Sequence, residues 1–134
     1  AAANIIPSTP GAAIAVTEAI PSLKDLFDGI ALRVPVLTGS IADITFISKR
    51  PTSVEEVNRI LLEASQLPRW QKVFSVTDEP LVSSDIVGSP FASLADLSMT
   101  KVVGGNLVKI LAWYDNEMGY TNALVEHVIK AGLR

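Results

Sequence analysis

The chain has 134 residues and a formal net charge of -3, with 49% hydrophobic and 19% charged residues. That length fits one domain, 1–134, with a single core large enough to bury most of its apolar surface. The charged share falls below the usual quarter, a deficit that a large covered surface or partner interface would account for. An acidic balance without a lysine or arginine run excludes a nucleic-acid surface, which needs clustered cations. With no cysteine and one histidine, neither a disulfide nor a zinc cluster can form, and no metal is expected. The start lacks the basic flank and apolar stretch of a secretory signal, and no run approaches a membrane span, so a soluble, cytoplasmic protein is expected.

In chain order, Asn4 to Pro7 reads as a brief extended piece. Thr9-Pro10-Gly11 then opens a helix through about Ile20, with Thr9 as its cap, Pro10 at the first helical position and Pro21 as its stop. Gly29 to Val36 and Ser40 to Ser48 read as strands joined by a turn at Thr38-Gly39. In the second strand Ile41, Asp43, Thr45 and Ile47 share one face, and Ala42, Ile44 and Phe46 the other.

Ser53-Val54-Glu55-Glu56 is a capping-box signature, with Ser53 serving the amide three residues on and Glu56 reaching back. Val54, Val57, Leu61 and Ala64 form the apolar stripe of the helix that follows. Val73 to Thr77 and Leu81 to Ser84 read as short strands, and Ala92 to Leu97 as a further extended stretch. Lys101 to Trp113 contains one longer strand that Gly104-Gly105 starts or bends. Glu117 to about Ala131 is a helix stopped by Gly132, with Tyr120, Leu124, Val128 and Ala131 on one buried face.

Strands that follow strands through short connections do not suit a parallel doubly wound sheet. The expected fold class is therefore α+β, an antiparallel or mixed sheet with helices packed on one face. The other face is left for something else to cover.

Few residues offer chemistry. Arg33, between Leu32 and Val34, needs an anionic partner, which is a phosphate held bidentately or a carboxylate such as Asp43 or Asp115. Thr9, Pro10 and Gly11 stand at a helix start, where exposed donors and the dipole favour an anion, although a plain cap with proline at the first position explains them without a ligand and is the favoured reading. Asn116 lies between strand and helix, where its amide suits a carboxamide or where it or Asp115 caps the helix. Tyr120 stands one turn on and reads as half-buried packing. His127 has no nucleophile to activate, and Ser83-Ser84-Asp85 has no histidine partner, so no catalytic residue is assigned.

Five blocks carry a resemblance in order and at similar spacing: 1–7 (AAANIIP), Gly11-Ala12-Ala13, Ala31-Leu32-Arg33-Val34-Pro35, 78–85 (DEPLVSSD) and Trp113-Tyr114-Asp115-Asn116-Glu117. Over essentially the whole chain they resemble the C-terminal catalytic domain of glyceraldehyde-3-phosphate dehydrogenase. The resemblance implies that domain's fold, begun part-way through. In the family an NAD-binding Rossmann domain, the nucleophilic cysteine and the histidine that activates it would all lie before Ala1. It also implies that Arg33 and the Gly11 helix start contact phosphate, and that Asn116, with Tyr120 beside it, faces nicotinamide. Pro10 takes the threonine position of the family's Thr-Gly pair, leaving Gly11 with Ser8 or Thr9, and Ile14 replaces a residue that is often lysine.

The expected function is thus the C-terminal part of an NAD-dependent, phosphorylating dehydrogenase of glycolysis, inactive alone. Its partners would be itself, as a homo-oligomer, or the missing N-terminal half, with sugar phosphate or inorganic phosphate as ligand. NAD is the family's cofactor, and no tight binding to this chain alone is expected, since no G-x-G-x-x-G follows a strand. The alternative is a non-enzymatic module that keeps the fold and uses its sheet face for self-association or partner binding.

Overall fold

A computed structural model describes residues 3–133, so Ala1 and Ala2 of the first resemblance block lie outside the described residues. Contacts gather the chain into two compact units, Ala1–Leu37 and Thr38–Arg134.

The first unit is small. Strands β1 (Ile6–Ser8) and β2 (Ala31–Arg33) pair antiparallel, Ile6 opposite Arg33 and Ser8 opposite Ala31. Helix α1 (Ala12–Ala19) follows β1, and a 3-10 turn, Pro21–Leu23, begins at the proline expected to stop the helix. The helix starts later than its sequence suggests. Gly11 is the N-cap, its carbonyl accepting from the Ala15 amide, and no side chain caps the end. Thr9 precedes a proline, which holds it extended, so its hydroxyl is not carried onto the helix end.

The second unit holds a mixed sheet in the order β3 (Ser40–Ile47), β6 (Leu107–Tyr114), β5 (Ser93–Val103), β4 (Phe74–Thr77). β3, β6 and β5 run antiparallel, while β4 and β5 are parallel. The α+β expectation holds, with one parallel pair at an edge. Helix α2 (Val54–Ser65) packs on β4 and β5, its Val57 buried. Helix α3 (Met118–Gly132) closes the chain.

The Ser53 hydroxyl accepts from the Glu56 amide at 3.2 Å, as the capping box predicts. The reciprocal half is not made. Glu56 turns its carboxylate to Arg50, at 2.7 and 3.1 Å, and to the Thr52 hydroxyl at 2.7 Å. A charge-assisted bidentate pair outcompetes a neutral amide.

Two strands of the sequence reading are corrected. Leu81 to Ser84 is no strand: the Asp85 carboxylate captures the Val82 amide at 2.7 Å and folds the chain into a 3-10 turn, Ser83–Ile86, that buries Ile86. The run Lys101 to Trp113 is the end of β5 and all but the last residue of β6, joined by a hairpin turn at Gly104 and Gly105. Both glycines have positive φ, 59° and 78°, and the Asn106 amide donates to the Val103 carbonyl, closing a turn within the three-residue connection between paired Val103 and Leu107.

The core is narrower than the sequence led one to expect. Its buried apolar residues among those described are Val57, Ile86, Ala95, Val108 and Ala112. The stripe expected to bury α3 is also open: Tyr120, Leu124 and Val128 are each exposed. Helical period identifies an apolar face without saying what covers it.

Candidate functional site

The strand-to-helix junction after β6 is built around Asp115, which is buried. One carboxylate oxygen accepts from the Glu117 and Met118 amides at 2.8 and 3.0 Å, satisfying orphan donors at the start of α3. The other accepts from the Gly88 amide at 2.8 Å, tying the loop before β5 to the same point. These amides, Gly88 first, then Met118 and Glu117, hold the carboxyl below its ordinary range against the opposing effect of burial.

Because Asp115 does the capping, Asn116 is released from it. The Asn116 side chain is exposed and its oxygen accepts from the Gly39 amide at 3.1 Å and the Thr38 hydroxyl at 3.5 Å. Its amide nitrogen donates to no group among the described residues. An outward donor pair on a pinned side chain can meet a carbonyl oxygen such as a carboxamide's. Gly39, with φ 87°, packs against the Ser83 carbonyl, which a Cβ would approach to 3.2 Å. Thr38, Gly39, Asp115 and Asn116 thus form one rigid corner.

Tyr120 is 66% exposed rather than half-buried, because it lies on the uncovered side of α3. His127 is also exposed, apart from this corner. Asp115 is the residue that sequence reasoning undervalued, having named it as one of two possible caps and as a possible partner of Arg33. Its place between an apolar strand and a helix start was the available signal.

In the first unit, Arg33 ends β2 and is exposed, and it belongs to none of the ion pairs among the described residues. The two carboxylates considered for it are otherwise engaged, Asp43 with Lys109 and Asp115 with backbone amides. Arg33 stands opposite Ile6, whereas Thr9 follows Ser8 at the other end of β1. At strand rise the backbone at Ile6, opposite Arg33, and that at Thr9 are about 10 Å apart. A hollow of about 790 Å³ in this unit is lined by Asp25 and Asp28 beside Lys24, a poor match for phosphate, and includes none of these residues.

No group of three or more potential metal ligands occurs among the described residues. No helix among them is long and apolar enough to cross a membrane.

Comparison with known proteins adds kinship to this geometry. The family described as glyceraldehyde 3-phosphate dehydrogenase, C-terminal domain, matches residues 1–116. The chain belongs to that family. A glyceraldehyde-3-phosphate dehydrogenase of Mycobacterium avium is 46% identical over 132 residues, covering 98% of this chain and 38% of that relative. Glyceraldehyde-3-phosphate dehydrogenase 2 of Streptomyces avermitilis is 47% identical over 132 residues, covering 98% and 39%. The enzyme of Clostridium acetobutylicum is 46% identical over 128 residues, covering 93% and 37%. The chain therefore spans well under half the length of these dehydrogenases, and the rigid corner at Asp115 and Asn116 closes the segment that the C-terminal domain family matches.

Proposed function

We propose that residues 1–134 act as one piece of the catalytic domain of an NAD-dependent, phosphorylating glyceraldehyde-3-phosphate dehydrogenase in the cytoplasm. Its contribution is positioning: Arg33 and the Thr9–Gly11 helix start hold phosphate groups, and Asn116, with Tyr120 beside it, orients the nicotinamide carboxamide. Cofactor, nucleophilic thiol and base come from outside these residues, so the chain alone is inactive and binds NAD weakly. The dehydrogenase family supplies the reaction class, hydride transfer to NAD from an aldehyde held as a thioester precursor.

The observation that carries this reading is Asn116. Its oxygen is occupied by Thr38 and Gly39 while its nitrogen is free of them, and the helix-capping task that would otherwise explain it belongs to Asp115. The open stripe of α3, with Leu124 and Val128 exposed, adds support, as a surface of the kind a larger assembly covers.

The test is reconstitution. Mixing this chain with a complementary N-terminal half of a relative should give NADH formation from glyceraldehyde 3-phosphate and phosphate, whereas the chain alone should give none. Failure of the two halves to associate, or turnover by the chain alone, overturns the proposal.

A second reading, a self-associating or partner-binding module without catalysis, is favoured by the sheet face away from α2. There Ile47, Leu107 and Val103 lie side by side across three strands, all exposed. A partner-independent assembly that Asn116 and Arg33 variants leave unchanged, without activity in reconstitution, would select it.

A further inference from the structure

Asp28 is the only aspartate or asparagine in the chain that a glycine follows. Lacking a Cβ, glycine leaves its own nitrogen uncrowded and its backbone free to turn toward the preceding side chain. Every other aspartate and asparagine precedes a residue that carries a side chain.

The structure brings the two groups of this pair together. The Gly29 amide donates to Oδ1 of Asp28 at 2.7 Å, which sets its nitrogen beside the carboxyl carbon one bond away from that oxygen. Neither group makes another hydrogen bond among the described residues. Most other aspartates are turned to different partners: Asp43 to Lys109, Asp85 to the Val82 amide, Asp96 to Ser98 and Trp113, and Asp115 to the Gly88, Glu117 and Met118 amides. Residues 27–30 belong to no helix or strand, so no ladder of backbone bonds fixes the link between Asp28 and Gly29.

We propose that Asp28-Gly29 is a site of succinimide formation, where aspartate converts to isoaspartate as the protein ages. The Gly29 nitrogen attacks Cγ of the protonated Asp28 side chain. An N–C bond forms, and the carboxyl hydroxyl leaves with the amide proton as water. Water then reopens the ring: addition at Cγ returns aspartate, whereas addition at the main-chain carbonyl leaves the chain linked through the side-chain carboxyl, as isoaspartate. Solvent water is the only co-reactant. Because the attack lies within one peptide link, it asks for no open surface and no second molecule.

The isomer adds one carbon to the main chain just before β2, whose pairing starts at Ala31 opposite Ser8 of β1. An added atom so close to a strand of 3 residues loosens that pairing.

The test is to age the whole chain in mildly acidic buffer at body temperature, then to map its peptides and to count isoaspartate by methyl transfer with an isoaspartate-specific methyltransferase. The peptide holding Asp28 should gain an isomer of equal mass, and a transient form lighter by one water, ahead of every other aspartate. In the separated isomer, hydrogen exchange along β1 and β2 should quicken. A Cβ at Gly29 meets nothing within 4 Å, so Gly29→Ala should keep the circular dichroism of the fold. It should isomerise at least about tenfold more slowly, because the side chain restricts the attacking residue. Asp28→Glu needs a larger ring and should give no isomer at that position. A free peptide of residues 24–33 serves as the reference, and the folded chain should isomerise at least as fast. Isoaspartate spread evenly over the aspartates, equal rates in the parent and Gly29→Ala, or a folded chain slower than the peptide would each overturn the proposal. The last of these would mean that the contact between Gly29 and Asp28 guards the pair instead of engaging it.

Discussion

Gly119 lies against the Phe91 carbonyl so closely that a Cβ built on it would stand 2.5 Å from that oxygen and 3.3 Å from the Ala92 Cα. The first turn of α3 is thereby seated on the backbone that leads into β5. Helix propensity alone would favour alanine at this position by about 1 kcal/mol. The obstacle is backbone rather than a flexible side chain, so the helix must move and the sign reverses. Gly119→Ala should lower stability by about 1–3 kcal/mol in urea titration, and a stabilised variant would show that α3 is not seated there.

How much of this was legible beforehand depended on whether the deciding interaction was local. The Ser53 cap and the turn at Thr38-Gly39 are short-range, and spacing alone found both. The hairpin was missed because Lys101 to Trp113 is apolar on both sides of its glycines, and a continuous run conceals a reversal that two adjacent glycines permit. The 3-10 turn was missed because Val82 and Leu81 look like strand residues, whereas the Asp85 side chain takes the Val82 amide. At the candidate site, spacing identified Asn116 as a junction residue. It did not separate its role from Asp115's, since that division rests on Gly88, distant in sequence.

Asp115 should make the fold acid-sensitive. Its folded-state pKa is depressed below the ordinary 3.8, first by the Gly88 amide and then by those of Met118 and Glu117. A depressed carboxylate contributes stability that is full above the unfolded value and lost as pH falls through the folded one. Asp115→Asn should be less stable than the parent near pH 7, and the two denaturation midpoints should converge as pH drops below about 4. Parallel curves across that window would remove the carboxylate from this role.

Glu56 adds a second acid-labile contact with a different signature. Its carboxyl is lowered from 4.5 to about 2, chiefly by hydrogen bonds from Arg50 and then Thr52. Its stabilisation is complete above 4.5 and fades toward 2. Since the Arg50 side chain is 67% exposed, salt should screen this contribution. Glu56→Gln should flatten the pH dependence over that interval and lose its difference from the parent at about 1 M salt, where Asp115→Asn should keep its own.

Ile86, only 1% exposed, is held inside by the turn that Asp85 makes. Ile86→Ala removes buried methyl and methylene groups from a core with few other members, so it should cost about 2–5 kcal/mol in chemical denaturation. The loop before β5 is tied to the same region through Gly88, so hydrogen exchange at the Gly88 amide should accelerate in this variant. Unchanged exchange would mean that the loop is held by Asp115 alone.

Asn116 allows its structural and functional tasks to be separated by chemistry. Its oxygen anchors Gly39 and Thr38, whereas its nitrogen is the group proposed to meet the cofactor carboxamide. Asn116→Asp keeps the acceptor and loses the donors, so stability should stay within about 0.5 kcal/mol of the parent. In the reconstituted pair the same variant should raise the KM for NAD and lower kcat by about tenfold, as loss of one orienting hydrogen bond does. Asn116→Ala loses both functions and should in addition destabilise the isolated chain by about 1 kcal/mol. Equal activity of the parent and Asn116→Asp, measured at subsaturating NAD, would leave Asn116 as an anchor for the Thr38-Gly39 turn and nothing more.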